Sequence, residues 1–391
     1  MAEEKAEAVG LNADGRTGRA KAWVAHLLDQ DRDANKRLTL ALAVMVGALV
    51  LASLPQLRAS FPFGIDLEIP LRAAGHWSAG TAVYPPSAMQ VQSGPDLPYL
   101  YPPFLLPFLA PIATLPREPV LDAWFGVCLV VAVWTCRRLG IPWPVIPALI
   151  VWPPFGEGLE VGNVQVLLFA AFVAVFYEQR SGFLEQRELR PSRDVWNGML
   201  AVAVGALKVT QSLPLLYLAR RRFQAAILGV VGVGAVVLAT LPLTGVSIYW
   251  DWLAQLEKAS DPAWTMGGMG LGHSLGIPGA VPAAIGIVLA LAVRGRDSAA
   301  WLGIALVIST PSAHGYTFLF LLPALLTIRR DLAIPIGGLF LFYYTAPWWL
   351  ASGLVVCLMI AAARRPQLRV PRPSPTPQRV PLPVPAELIQ A

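Results

Sequence analysis

The sequence predicts an all-α fold, a polytopic bundle of helices that crosses a lipid bilayer many times, and three observations carry that expectation. Of the 391 residues, 55% are hydrophobic and only 14% charged, with a mean hydropathy of +0.57, whereas soluble domains carry about a quarter charged residues. Uncharged stretches such as Leu38–Leu57, Phe223–Trp250 and Ala333–Ala363 match or exceed the roughly 20 residues that a helix needs to cross the hydrocarbon. The formal charge of +6 is gathered in basic clusters between apolar runs, at Arg220–Arg222, Arg294 with Arg296, Arg329–Arg330 and Arg364–Arg365. Such clusters mark the cytoplasmic ends of spans and not a nucleic-acid groove. Inside a bilayer the backbone must satisfy its own hydrogen bonds, which leaves helices as the expected element throughout.

The opening segment, 1–37, is polar, carries both signs of charge and is too long for the basic region of a signal peptide. It is expected to stay cytoplasmic, with Arg32, Lys36 and Arg37 as the inner anchor. Residues 38–363 form the expected transmembrane domain, of about 10–12 membrane helices. Leu38–Leu54 is its first span, running outward. The outer stretch that follows, about 55–103, is long, and loops of that length are usually functional. Within it Leu67–Ser78 places apolar residues at helical spacing, as an interfacial helix lying on the bilayer does.

Apolar runs resume at Phe104–Leu115, Val120–Thr135, Pro142–Pro153, Val164–Tyr177, Trp196–Leu218 and Phe223–Leu243. Several are short and interrupted by proline, so some enter the membrane without crossing it. The loop Glu178–Asp194 holds four arginines, which favours the cytoplasmic side. A second outer loop spans about 245–277, and Ile277–Val293 returns inward. Ala299–Ile328 reads as a hairpin whose arms, of roughly 14 residues each, rise only about 21 Å against a core of about 30 Å. Its tip, Ser309–Tyr316, is therefore expected to sit recessed in the outer leaflet. Ala333–Ala363 forms a final pair. The tail, 364–391, with eight prolines and five arginines, is expected to be disordered, cytoplasmic and drawn to the membrane surface. Cys128, Cys136 and Cys357 all lie in apolar runs without a CxxC spacing, and read as packing residues.

Ionisable groups at membrane depth are costly and mark function, and those of this chain group on the proposed outer face. Asp66, directly after the first span, suits a general base that takes a proton from an acceptor hydroxyl; the plain alternative is a solvated loop aspartate or helix cap. His314 sits at the recessed tip, where a phosphate-bearing lipid can meet it or backbone carbonyls can satisfy it. His273 lies in a glycine-rich turn. Lys208, in mid-span without a nearby acid, invites an anionic ligand such as a lipid phosphate, with snorkelling to the interface as the alternative. Asn163 and Gln165 offer amides at a span end, suited to sugar hydroxyls or to helix capping. No histidine has a partner at metal-ligand spacing, so no metal is expected. The chain lacks P-loop, GxGxxG, HExxH and GxSxG patterns, which removes nucleotide hydrolysis, dinucleotide binding and zincin chemistry. An enzyme without a nucleotide site needs an activated donor soluble in lipid, and a polyprenyl-phosphate sugar meets that need.

Taken in order, Asp66-Leu67, Gly80-Thr81-Ala82-Val83-Tyr84, Tyr99-Leu100-Tyr101-Pro102-Pro103, Gly162-Asn163, Lys208-Val209-Thr210-Gln211, Gly272-His273-Ser274-Leu275 and Thr310-Pro311-Ser312-Ala313-His314 resemble the polyprenol-phosphate-mannose-dependent alpha-mannosyltransferases of the GT-C membrane glycosyltransferase fold, of the actinobacterial envelope type. The resemblance runs from about residue 38 to 363. It departs at Val209, in place of a proline, at Asn163, where glutamine is common, at His273, in an asparagine-like position, and at a tip with one histidine where relatives often have two. It implies an inverting transfer of a sugar, mannose first, to a glycolipid or envelope glycan outside the cell membrane, with both chain ends cytoplasmic. Asp66 would be the base. Lys208, His314 and Arg72 would face the leaving phosphate, and Gln211, His273, Asn163, Gln165, Tyr99 and Tyr101 would line the substrate site. No cofactor is implied beyond the lipid-linked donor, and no nucleic-acid partner. Two rivals remain: a lipid-linked-sugar transporter, against which no inverted repeat is visible, and a related enzyme moving another sugar such as arabinose.

Overall fold

The computed structural model describes residues 63–328, apart from 92–95, 142, 144–145, 151, 181–182, 260, 262–269, 295–297 and 311–312, together with four helical positions before them, Val44, Ala48, Ala52 and Pro55. The N-terminal segment, most of the first expected span, the final pair, Cys357 and the tail lie outside the described residues.

The described chain is mostly helical. Ile65–Ser78 forms α1, Leu106–Ala113 α2, Arg117–Arg138 α3, Ile146–Ile150 α4, Pro153–Glu160 α5 and Gln165–Phe176 α6. A small antiparallel hairpin follows, β1 (Tyr177–Arg180) and β2 (Phe183–Gln186), with Tyr177 opposite Gln186. Asp194–Leu207 is α7, Leu213–Arg221 α8, Phe223–Thr244 α9 and Ser247–Ala259 α10. Leu271–Leu275 is α11, Ala280–Ala292 α12 and Ser298–Ser309 α13; the 3₁₀ turn Gly315–Leu321 leads into α14, Leu322–Ile328.

Two of these helices, α3 and α9, are long and apolar enough to cross a bilayer. Each has 22 residues and rises about 33 Å, against a hydrocarbon core of about 30 Å. Both carry exposed apolar faces, Val127, Val130 and Trp134 on α3 and Val230, Val231, Leu238 and Leu243 on α9, the composition a lipid-facing surface requires. The shorter apolar helices α6 and α13 are buried on nearly every side. Phe169 and Phe172 of α6 meet Phe320 edge to face, at ring-centroid distances of 5.6 and 5.2 Å, so the 299–328 hairpin closes onto the centre of the bundle. Its own arms touch at Gly303, where any side chain would run into the Phe320 carbonyl.

Three local outcomes bear on the sequence reading. The run Trp196–Leu218 is not one helix: α7 stops at Leu207, Lys208 is extended (φ −141, ψ 103), and a 3₁₀ turn, Val209–Gln211, precedes α8. Pro214 in the first turn of α8 has no N–H for the Thr210 carbonyl, so a continuous helix would leave that group unpaired. Lys208 thus sits in a break and not mid-helix. Among its described residues Pro142–Pro153 holds the short α4, and α5, of eight residues, rises about 12 Å and cannot span, which makes these the non-crossing segments that short, proline-interrupted runs predict. The loop Glu178–Asp194 contains the β-hairpin, whose Gln186 Oε1 accepts from the Ala299 backbone N–H at 2.9 Å and ties it to the start of α13.

Arginines collect at one end of the bundle. Arg137 and Arg138 close α3, Arg138 donates to the Tyr177 carbonyl at 3.2 Å, Arg187 donates to the Ala174 carbonyl at 2.6 Å, and Arg222 binds Asp194 at the start of α7. The opposite ends of α3, α6 and α7 converge with α1.

A close helix crossing joins α7 to α9, where Gly198 faces the Ala225 carbonyl and Gly229 faces the Gly198 carbonyl and Val202. Small residues permit such backbone contact. Gly198→Ala is expected to lower the thermal midpoint of the detergent-purified protein, at a cost of about 1–3 kcal/mol. Gly234→Ala on α9, where an added methyl meets nothing within 4 Å, should leave it unchanged or raise it.

Candidate active site

The N-terminus of α1 is fixed by two backbone hydrogen bonds to the end of α5, Gly64 N–H to the Glu160 carbonyl and Asp66 N–H to the Val161 carbonyl, both 2.8 Å. Two glycines make this approach possible. Gly64 (φ 70) and Gly162 (φ 68) occupy the left-handed region, and a methyl on Gly162 would lie 3.4 Å from the Gly64 Cα. Trp124 of α3 locks the turn by donating its indole N–H to the Gly162 carbonyl at 2.7 Å. Asp66 therefore enters the first turn of α1, where the helix dipole favours a carboxylate, at a position set by a different part of the chain.

Asn163 follows that turn and connects Asp66 to α6. Its Oδ1 accepts the Gln165 backbone N–H at 2.7 Å, and its Nδ2 donates to Asp66 Oδ2 at 2.6 Å. The Asn163 oxygen thus caps the start of α6, as the capping reading expects, while its NH₂ group turns to Asp66. Gln165, fully buried, presents Oε1 to the Lys208 ammonium at 3.3 Å. Lys208 lies 5.4 Å from the centroid of the Tyr316 ring, and that ring is 5.5 Å from His314. The break between α7 and α8 and the turn after α13 thereby place a cation and an imidazole beside the base end of α1, joining segments that lie up to about 250 positions apart in the chain.

A second carboxylate completes the cluster. Glu157 of α5 lies against Gly315, which has no room for a side chain because the carboxylate fills that space. Burial pushes Glu157 up to about 7; the Gly315 backbone opposes the shift, while the Asp66 and Glu160 charges add to it. Asp66 is also raised from the usual carboxylate range by burial, with the Asn163 hydrogen bond and the Lys208 charge pulling it back. Both carboxylates lie outside the spanning runs. Several buried polar atoms have no hydrogen-bond partner among the described residues: Glu157 Oε2, Gln165 Nε2 and both amide atoms of Gln211. Buried polar groups are seldom left so, and a polar, hydroxyl-rich ligand would supply what they lack.

The structure thus gathers Asp66, Asn163, Gln165, Lys208 and His314, with Gln211 one turn beyond Lys208 and Tyr101 close enough to Asp66 to feel its charge. It does not bring in Arg72, which points elsewhere on α1 and pairs with Glu68 at 3.3 Å and Asp96 at 2.9 Å. Tyr99 is buried and donates its hydroxyl to the Pro102 carbonyl at 3.3 Å, as part of an aromatic stack with Tyr84 and Tyr101. His273 is on α11, and its side chain lies outside the described set. Glu157 and Tyr316 escaped the sequence reading, although an acid within Pro-Pro-Phe-Gly-Glu-Gly-Leu was itself the signal. No group of three or more metal-ligating residues occurs among the described residues.

The model of Glycosyltransferase family 87 matches residues 99–321, more than half of the chain. A curated protein of Mycolicibacterium smegmatis, a polyprenol-phosphate-mannose-dependent alpha-(1-2)-phosphatidylinositol mannoside mannosyltransferase, is 28% identical over 211 aligned residues. The alignment covers 47% of this chain and 43% of that relative, so the chain spans under half the length of the curated relative it matches. No solved structure matches the chain.

Since the Asn163 amide favours the charged form of Asp66, Asn163→Ala is expected to raise the pH at which Asp66 takes up its proton. Infrared difference spectra of the carboxyl stretch, assigned by subtracting Asp66→Asn, check the direction; an unchanged midpoint would remove Asn163 from that role.

Proposed function

The chain belongs to glycosyltransferase family 87, and on that premise we propose that it transfers a hexose, mannose first, from a polyprenyl-phosphate donor to a hydroxyl of a glycolipid or cell-envelope glycan on the outer face of the membrane. The convergence of Asp66 with Lys208 and His314 is the observation that carries the reading: a buried carboxylate and a cation stand in one site without a nucleotide-binding motif. The polyprenol-phosphate-mannose donor named for the 28% identical relative supports the donor class.

In this reaction Asp66 takes the proton of the acceptor hydroxyl, and the acceptor oxygen forms a bond to the anomeric carbon of the donor sugar. The bond from that carbon to the phosphate oxygen breaks on the opposite face, its electron pair leaving with polyprenyl phosphate. The configuration inverts. Lys208 and the His314 turn lie where negative charge grows on the leaving phosphate, and preorganised groups act most strongly there. Gln165 and Gln211 hold the amides that meet sugar or phosphate oxygens.

The arrangement of charge supports an outward-facing site. The arginines of α3, the β-hairpin and α8 cluster at one end of the bundle, while Asp66, Glu68, Glu157 and Glu160 lie at the other. Of the cations at the acidic end, Arg72 and Arg117 are both paired with Glu68, and Lys208 faces the site itself. By the positive-inside bias the arginine end faces the cytoplasm, and the site opens on the other side.

Membranes bearing the wild-type protein should move labelled mannose from polyprenyl-phosphate-mannose to a glycolipid acceptor, and Asp66→Asn at equal expression should lower that rate by about 10²–10⁴-fold, the contribution of a general base. Equal rates would remove Asp66 from the chemistry.

A further inference from the structure

Glu157 is the one strongly perturbed carboxylate in the cluster that the proposed displacement leaves without a task. It is held laterally. Its helix, α5, is pinned on one side to α1 through the Glu160 and Val161 carbonyls. On the other side Gly158 packs against Tyr316, where an added methyl would lie 3.2 Å from the Tyr316 Cβ, and the Glu157 carboxylate fills the space beside Gly315. Glu157 therefore flanks both ends of the reaction axis, the Asp66 end and the His314–Lys208 end, and occupies neither. The carboxylate draws on the Gly315 backbone, yet its buried Oε2 closes no well-formed hydrogen bond to any described residue. A donor sugar whose anomeric carbon lies on that axis presents its ring hydroxyls to the side, where the unsatisfied Glu157 oxygen can accept from one of them.

We propose that Glu157 binds the 2-hydroxyl of the transferred sugar and is a specificity-determining catalytic residue; this assignment rests on the reading of the site as a polyprenyl-phosphate-dependent glycosyltransferase. The chemistry favours the 2-hydroxyl over its neighbours. As the bond to phosphate lengthens, positive charge spreads over the anomeric carbon and ring oxygen, and a hydrogen bond from the adjacent 2-hydroxyl strengthens as that charge grows. A carboxylate there binds the transition state more tightly than the ground state, the condition for raising kcat. Gly315 is part of the same device, because a side chain at that position would displace the carboxylate.

The test crosses the enzyme variant with a donor variant. Wild type, Glu157→Gln and Glu157→Ala, purified to equal yield and thermal midpoint, are assayed with polyprenyl-phosphate-mannose and with its 2-deoxy analogue. If Glu157 holds the 2-hydroxyl, Glu157→Ala should lower kcat/KM for the full donor by about 100-fold, as loss of one transition-state hydrogen bond does in such sites. For the 2-deoxy donor, already slow with wild type, the same change should cost less than about 3-fold. The isosteric Glu157→Gln should fall between, with the loss in kcat rather than KM. Equal losses on both donors overturn the assignment and leave the transferase reading standing. A wild-type protein inert toward both donors overturns the donor reading and this assignment with it.

Discussion

The Asn163 side chain is the constraint on which the site depends. An amide can be turned either way, but here its oxygen is claimed by the Gln165 backbone N–H at the start of α6, so the NH₂ group must face Asp66. A donor fixed in that direction favours the acceptor-only form of Asp66, the carboxylate. Asn163 is held in turn by the left-handed Gly162, by Trp124 above it and by the α1 backbone pairing below it. The carboxylate, the amide and the entry to α6 therefore form one rigid unit, and the break after α7 delivers Lys208 to the far side of it. Geometry within about half an ångström is what a catalytic constellation requires, and here backbone hydrogen bonds supply it.

The same unit explains why the chain tolerates irregular backbone in an apolar protein. The α5–α6 turn, the Lys208–Ser212 break and the turn after α13 all leave the regular helix, and all three meet around Asp66. Non-helical backbone at membrane depth survives only where protein or a polar ligand covers it. Its concentration at one place, beside unpartnered amides and a carboxylate, makes the irregularity part of the site. Elsewhere α3 and α9 stay regular and present apolar faces outward.

Much of this was legible in the sequence, and the reasons for the rest are physical. Asp66, Lys208 and His314 stood out because charge in an apolar chain is rare and costly. Their convergence was not legible, since the chain runs through most of the described fold between the first and the last. The α7–α8 break was hidden because Trp196–Leu218 carries no charge except Lys208, and hydropathy does not register a proline-forced turn. Arg72 illustrates the opposite error. Six positions after Asp66 on a helix, it turns about 240° from it, and its ion pairs with Glu68 and Asp96 face another way. Glu157 was missed because it sits between two apolar runs, and only the packing of α5 on the Gly315 turn gives it a neighbour.

In the proposed reaction the net event inside the site is the passage of one negative charge from Asp66 to the leaving phosphate. Burial raises Asp66 and so makes it the stronger base, while the Asn163 hydrogen bond and the Lys208 charge oppose that rise. As Asp66 is neutralised, its hold on Lys208 weakens, and the ammonium becomes free to respond to the phosphate that gains the charge. The two effects share a cause, because the single Asn163–Gln165 connection sets the spacing between base and cation. Preorganisation of this kind requires little rearrangement as charge moves, which suits a buried site built from backbone turns.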